Sequence, residues 1–267
     1  MPIKMMAASR KRPGLTRAEY FRYIEHYHGT IAREEPSKII TYIQNHVIDG
    51  AFGVLSDTKH QQVAERDCVV ELYFETFRDM IAALDISPDG QQSAAAQDGK
   101  FFADEPNNIV LMAEEEEVAV PNPMPKFNPG QGLVEGVGAV KVLRYVMRDP
   151  DVYREDYYRY WMEAHVDAME KTPHMRANLR RCVMNKRCRL SDNDAEARRH
   201  FGMVDMPVYD MVVSYWLDTM EHVLAFRDYD EAVRAYPKKF ADWSRSFFVY
   251  TRPIPIVRDR NVPRSRA

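Results

Sequence analysis

The sequence predicts an α+β fold built from two copies of one small unit, and three observations predict it. First, LTRAEYFRYIEHYHGT from Leu15 returns as VYREDYYRYWMEAHVD from Val152, at a shift of 137 positions. That shift sets Pro13 on Pro150, Glu19 on Asp156, Phe21 on Tyr158, Arg22 on Arg159, Tyr23 on Tyr160 and His28 on His165. Second, DCVVELYFETF from Asp67 returns as DMVVSYWLDTM from Asp210 at a shift of 143, and FAD at Phe102 returns at Phe240 at a shift of 138. An insertion in the charged loop Ser191 to Arg199 and a deletion in the loop around Pro88 to Lys100 account for the changes. Third, both copies string their elements in one order: strand, helix, strand, strand, helix, strand. Self-similarity of this kind decides the architecture before local detail does.

The opening strands are Ile3 to Ala8 and Ala139 to Met147. Thr16 with Glu19 three residues later forms a capping box, which satisfies free amides at a helix start. Phe21, Ile24, His28 and Ile31 then fall on one helical face, and Tyr158, Trp161, His165 and Ala168 repeat it. Strands follow at Ile40 to Ile48 and Leu179 to Asn185, then at Cys68 to Phe74 and Met211 to Leu217. Second helices begin near Thr76 and Thr219, and the last strands are Ile109 to Ala113 and Phe247 to Thr251. This order is the ferredoxin-like split unit. Its helices cover one sheet face only, so the other face needs a partner. Tandem ferredoxin-like domains supply each other, pairing sheet to sheet as a pseudo-dimeric α+β barrel. The same pairing is available between two chains, so a homodimer stays open. The division is 1–120 for the first domain, a Pro/Gly linker over 121–138, and 139–267 for the second. The acidic run Glu114 to Glu117 reads as a solvated strand end.

Composition excludes several classes. The 267 residues are 45% hydrophobic and 29% charged, which rules out a largely disordered chain. Lys plus Arg is 37 against 40 Asp plus Glu, so phosphate-dominated nucleic-acid binding is not expected. No apolar run approaches the ~18 residues of a membrane span. The start, MPIKMMAASRKRPG, lacks a signal-peptide pattern. Cys68, Cys182 and Cys188 cannot complete a disulfide framework or a zinc site, which points to a reducing cytoplasm and no metal. No dinucleotide fingerprint, phosphate loop, HExxH or GxSxG elbow is present.

The phrase RKRPGLTRAEYFRYIEHYHGT, Arg10 to Thr30, resembles the EthD family of the dimeric α+β barrel superfamily. It is similar to the family's basic K-R-x-G-L-T turn followed by E-x-F-x-x-Y-W…H. Ile24 stands where the pattern has Trp, and Trp161 restores it in the second copy. YIQNHV at Tyr42 to Val47 resembles the family's second strand, and the phrases around Asp67 and Phe102 extend the likeness along the chain. The resemblance implies an enzyme without a cofactor. It would hold an aromatic or polyketide-like small molecule inside the barrel and move protons with His, Tyr or acidic groups. It also leaves open an oxygen-using or haem-dependent oxidoreductase and a non-catalytic binding module. The expected chemistry is that of a lyase or isomerase: dehydration, decarboxylation, C–C cleavage or cyclisation.

His28 is the first catalytic candidate. It sits on the helix stripe, it recurs as His165, and the resemblance implies a functional histidine there. A neutral imidazole exchanges protons near pH 7. The plain alternative is a core histidine bonded to a carbonyl. Tyr42, Gln44 and His46 alternate along a strand and share one face, which suits pocket lining better than core. Tyr42 and His46 are placed as catalytic partners, and Gln44 as a binding residue. Their matches in the second copy are read as Leu179, Arg181 and Val183, so the first half is the better equipped. Tyr23, Tyr160 and Trp161 would clamp an aromatic ring, and core packing explains them equally well. Cys68 completes a His, Tyr and Cys combination similar to that of muconolactone methylisomerases, and is otherwise a buried structural thiol. His165 is a further binding candidate.

Overall fold

The computed structural model describes residues 3–34, 38–51, 65–84, 94–124, 138–188 and 208–257. β1 (Ile3–Ser9) leads to a helix running as α1 (Arg17–Arg22), a π-helical segment (Tyr23–His28) and α2 (Gly29–Glu34). β2 (Thr41–Ala51), β3 (Cys68–Phe74), α3 (Phe77–Leu84), α4 (Ala94–Phe102) and β4 (Ile109–Val118) complete the first copy. The second copy runs β5 (Val140–Val146), α5 (Arg154–Lys171), α6 (Pro173–Asn178), β6 (Arg181–Arg187), β7 (Met211–Leu217), α7 (Val223–Arg234) and β8 (Phe247–Val257). The expected elements are present in the expected order. Thr16 caps α1 as the capping box requires, with its N–H donating to Glu19 Oε2 at 2.8 Å. The region expected as a loop around Pro88 to Lys100 holds α4. The Ser191 to Arg199 insertion and most of the Pro/Gly linker lie outside the described residues.

The strand order is β4-β1-β3-β2 in the first copy and β8-β5-β7-β6 in the second, antiparallel throughout. The copies meet at their edges. β2 pairs with β8 and β4 with β6, closing all the strands into one barrel. Among the described residues closure leaves no unpaired sheet edge. The sheet faces without helices point at each other across the lumen. Met6, Ala8 and Val69 from one copy pack there with Leu143, Val212 and Val249 from the other. The opposite faces carry the helices, around Met5, Tyr42 and Leu72 in the first copy and Val142, Tyr157 and Trp161 in the second.

The acidic run is a largely solvated strand end as expected, with Glu114, Glu116 and Glu117 exposed, and it also lies on the seam of the barrel. Lys186 pairs with Glu116, Arg181 with Glu117, and Lys4 Nζ lies 2.8 Å from Glu115. The run is acidic because an edge strand here must attract the basic β6.

The lumen also holds a buried charge group. Glu71, 0% exposed, pairs with both Lys4 and Lys141 and accepts from Asn45 Nδ2 at 2.7 Å. Lys4 Nζ also donates to Asn185 Oδ1 at 2.8 Å. The Lys141–Glu71 and Lys4–Asn185 bonds cross from one copy to the other. Burial alone would raise the Glu71 carboxyl, but Lys141 and Lys4 outweigh it and hold it well below the usual range. Burial pulls Lys141 down to about 8 against the attraction of Glu71.

Removing the shared anion strands two buried ammonium groups. Glu71→Gln is expected to lower the unfolding free energy by about 3–5 kcal/mol in urea titrations. A loss under about 1 kcal/mol would show that the group does not hold the copies together. A depressed carboxylate contributes its stability above its unfolded pKa, about 4.3, and loses it as pH falls through the folded value. The wild-type chain therefore loses stability below about pH 4, and Glu71→Gln flattens that limb.

Candidate functional site

The helix over β2 is not uniform. Tyr23 to His28 is wound as a π-helix, with Gly29 N–H bonded to Ile24 O, five residues back. π-turns of this kind recur at functional sites. The inward positions are Tyr20, Ile24, Gly29 and Ala32, against Tyr157, Trp161, His165 and Ala168 in the second copy. Their spacings are four, five and three against four, four and three. The extra residue puts Gly29 in the place His165 fills and turns His28 off the stripe. A side chain would be crowded in that place, because a Cβ at Gly29 would lie 3.2 Å from Ile24 O and 3.3 Å from two carbons of Ile256.

His28 then faces α4. Its Nδ1 lies 3.1 Å from Asp98 Oδ2, and Tyr23 donates its hydroxyl to Asp98 Oδ1 at 2.7 Å. A carboxylate only accepts, so Nδ1 carries the proton and Nε2 is the basic nitrogen. The ring packs 4.7 Å from Phe102 and edge-on to Tyr42 at 6.1 Å. Burial and the Asp98 bond push the Tyr23 hydroxyl up to about 12. Sequence reasoning missed Asp98, which lies in the stretch read as a loop. The signal for it was the Asp98 and Phe102 pair, four apart behind three alanines.

Tyr42, Gln44 and His46 share a face as expected, and that face meets the helix. The lumen, implied by the resemblance as the place for substrate, is filled instead by side chains of Thr41, Ile43, Asn45 and Val47 parity. The Gln44 Nε2 donates to Ile24 O at 2.6 Å and to Tyr42 Oη at 2.9 Å. Its Oε1 lies 3.0 Å from His46 Nε2. The His46 ring stacks on Phe21 at 4.5 Å. Burial, with Arg252 nearby, pulls His46 down to about 4, so it is neutral at pH 7. Tyr42 accepts from Gln44, and no acceptor for its own O–H is present among the described residues. Cys68 sits opposite His46 on β3 with Tyr20 and Ile24, and burial pushes its thiol up.

The second copy packs the same layer solid. Cross-strand register sets Tyr42, Gln44 and His46 against Cys182, Met184 and Lys186, not Leu179, Arg181 and Val183. The expected offset carried the helix shift into a strand that follows an extra turn, α6. His165 bonds to Tyr229 Oη at 2.6 Å and stacks on Trp161 at 5.2 Å. Burial lowers it to about 4. Tyr160 lies off the stripe under Arg159 and Lys238. The structure thus brings together Tyr23, His28, Tyr42, Gln44, His46 and Cys68. It leaves Tyr160, Trp161 and His165 on the far side of the barrel.

Two ferredoxin-like sheets closed edge to edge define a protein of the dimeric α+β barrel class, here with both units in one chain. The EthD domain profile matches residues 12–106 and 149–244, and the chain belongs to the EthD family. No curated protein matches the sequence. Among solved structures, a chlorite dismutase candidate is 12% identical, with 96% of each chain covered and a TM-score of 0.50. A monooxygenase candidate from Fusobacterium nucleatum is 6% identical, with 97% of this chain and 94% of that one covered and a TM-score of 0.50. A chlorite dismutase from Candidatus Nitrospira defluvii, in complex with imidazole, is 10% identical over 96% and 92%, with a TM-score of 0.49. At these identities the likeness is one of fold.

Haem is a cofactor that the family resemblance leaves open, and the helix layer of the second copy does not fit it. There Tyr157, Trp161, Tyr215, Phe226 and Tyr229 are at most 1% exposed and fill the layer. Among the described residues no group of three His, Cys, Asp or Glu is placed to hold a metal, and no helix is long and apolar enough to cross a membrane.

Both depressed imidazoles bear on stability. Between about pH 6.5 and 4 the unfolded chain binds protons that the folded His46 and His165 refuse, so stability falls as pH drops through that window. His165→Gln should give a shallower fall of Tm between those pH values in thermal melts. An unchanged slope would show that His165 titrates normally in the fold.

Proposed function

We propose that the layer between helix and sheet in the first copy is a cofactor-independent acid/base site. It would act on a phenolic, aromatic or polyketide-derived small molecule, as a lyase or isomerase. The observation that supports this most is the Tyr23–Asp98–His28 group at the π-turn, beside a Tyr42 hydroxyl whose proton has no acceptor among the described residues. A positioned imidazole and a hydroxyl donor about one ring-width apart are the two parts a proton transfer with charge development needs.

In this reading Asp98 fixes the tautomer of His28, and Nε2 takes or delivers the proton. Tyr42 donates its O–H to the oxygen where negative charge develops. Gln44, tied to Ile24 O, holds Tyr42 in place, and His46 holds Gln44. His46 is then a positioning residue rather than the proton carrier. Tyr23 and Phe102 flank the imidazole and would contact an aromatic ring. The His165 layer would play no direct part.

Turnover of a panel of phenolic and polyketide-type compounds, followed by mass spectrometry, tests the reading. His28→Ala is expected to lower turnover by about 10²-fold or more, and Tyr42→Phe and Asp98→Asn by about 10-fold or more, with melts close to wild type. His165→Ala should change turnover less than His28→Ala. Wild-type rates in His28→Ala, or binding without turnover across the panel, would sink the acid/base role.

A further inference from the structure

The aromatic rings around His28 form a row that ends in solvent. Phe102 lies 4.7 Å from His28 and 5.7 Å from Tyr23, and Tyr27 stacks on Tyr23 at 5.4 Å with 21° between the planes. The inner members are fixed. Phe102 is buried, and the His28 imidazole and the Tyr23 hydroxyl both bond to Asp98. Tyr27 is different. It is 64% exposed, its hydroxyl bonds to none of the described residues, and among their rings it touches Tyr23 alone.

Residues four apart on a helix often meet. The second copy shows that this spacing does not impose the contact. Tyr160 and Ala164 hold the matching places, and the Tyr160 ring lies under Arg159 and Lys238 instead. The outer face of Tyr23 is therefore a flat apolar surface reached from solvent. The chain covers it with one ring that a single stacking contact holds down. Withdrawing Tyr27 costs that contact and little else, and it vacates a ring-sized space on Tyr23.

We propose that this Tyr23 face is the subsite for the planar ring of a phenolic substrate, and that Tyr27 stands in for that ring until the substrate displaces it. The subsite rests on the acid/base reading above for its chemistry, and names Tyr27 as the residue that selects what reaches His28. A flat aromatic ring regains the stacking that Tyr27 gives up. A puckered ring of the same size does not, so the exchange favours aromatic over alicyclic alcohols.

Binding of 2-naphthol to the full chain, followed by its own fluorescence, tests the subsite, with phenol and cyclohexanol as competitors. Removing the stand-in makes more of the chain competent to bind, so Tyr27→Ala should tighten 2-naphthol by about threefold or more. Tyr23→Leu should weaken it by about tenfold or more. Phenol should displace the probe at lower concentration than cyclohexanol. No binding, affinity kept in Tyr23→Leu, equal competition by the two alcohols, or an unchanged or weaker affinity in Tyr27→Ala would overturn the subsite. If Tyr23→Leu does not fold, Tyr27→Ala and the competition decide. None of these readings needs turnover. Tighter 2-naphthol in Tyr27→Ala together with wild-type turnover in His28→Ala keeps the subsite and removes the acid/base role. Turnover lost in His28→Ala with unchanged 2-naphthol affinity in Tyr27→Ala does the reverse.

Discussion

The buried ion group Lys4–Glu71–Lys141 is the constraint on which the rest of the molecule depends. A ferredoxin-like sheet has one face without helices, and here that face carries charge. Lys4 and Lys141 are the same position in the two copies, 137 residues apart. Neither could be buried alone. Glu71 from the first copy neutralises both, and Asn45 and Asn185 close the remaining bonds. The two sheets must therefore meet in one register. The β4–β6 seam and the β2–β8 seam follow from that register, and the acidic run on β4 reinforces it.

Once the barrel is closed this way, the two helix layers are relieved of holding it together and have diverged. In the second copy the layer is a solid aromatic core, with His165 locked between Trp161 and Tyr229. In the first, one extra residue is absorbed as a π-turn. The turn exposes Ile24 O to Gln44 and swings His28 towards Asp98. Glycine at position 29 and the bulky Ile256 on β8 record the same change, since the helix must approach the neighbouring copy closely there.

Much of the fold was legible in the sequence because duplication repeats a pattern too long to arise by chance. The helix phrase, the β3 and β7 phrase and the capping box at Thr16 each led to the right element. What was not legible has a common physical cause: period and spacing say which residues share a face, not what that face meets. Tyr42, Gln44 and His46 were placed together correctly, yet whether they faced lumen or helix depended on how two sheets close. Lys4 carries no signal in the sequence beyond its place on the first strand, and only the fold buries it beside Glu71. Asp98 was hidden because α4 lies where the offset between copies returns, so the repeat supplied no counterpart to point to it. His28 and His165 agreed in sequence and differ in space, because a π-turn changes position without changing residue type.

The location of the proposed acid/base group follows from the same division. The lumen holds the stronger ionisable groups, but Lys4 and Glu71 are fully enclosed and each is bonded to the other. A proton moved there would cost the attraction that closes the barrel, and no solvent reaches it to restore the charge. The first helix layer differs on both counts. His28 keeps 13% of its side chain accessible, and its partner Asp98 belongs to a surface helix rather than to a strand of the barrel. Protonation can change there without unpicking the lumen. A barrel that is held by charge at its centre is free to place exchangeable protons only at its rim, between sheet and helix.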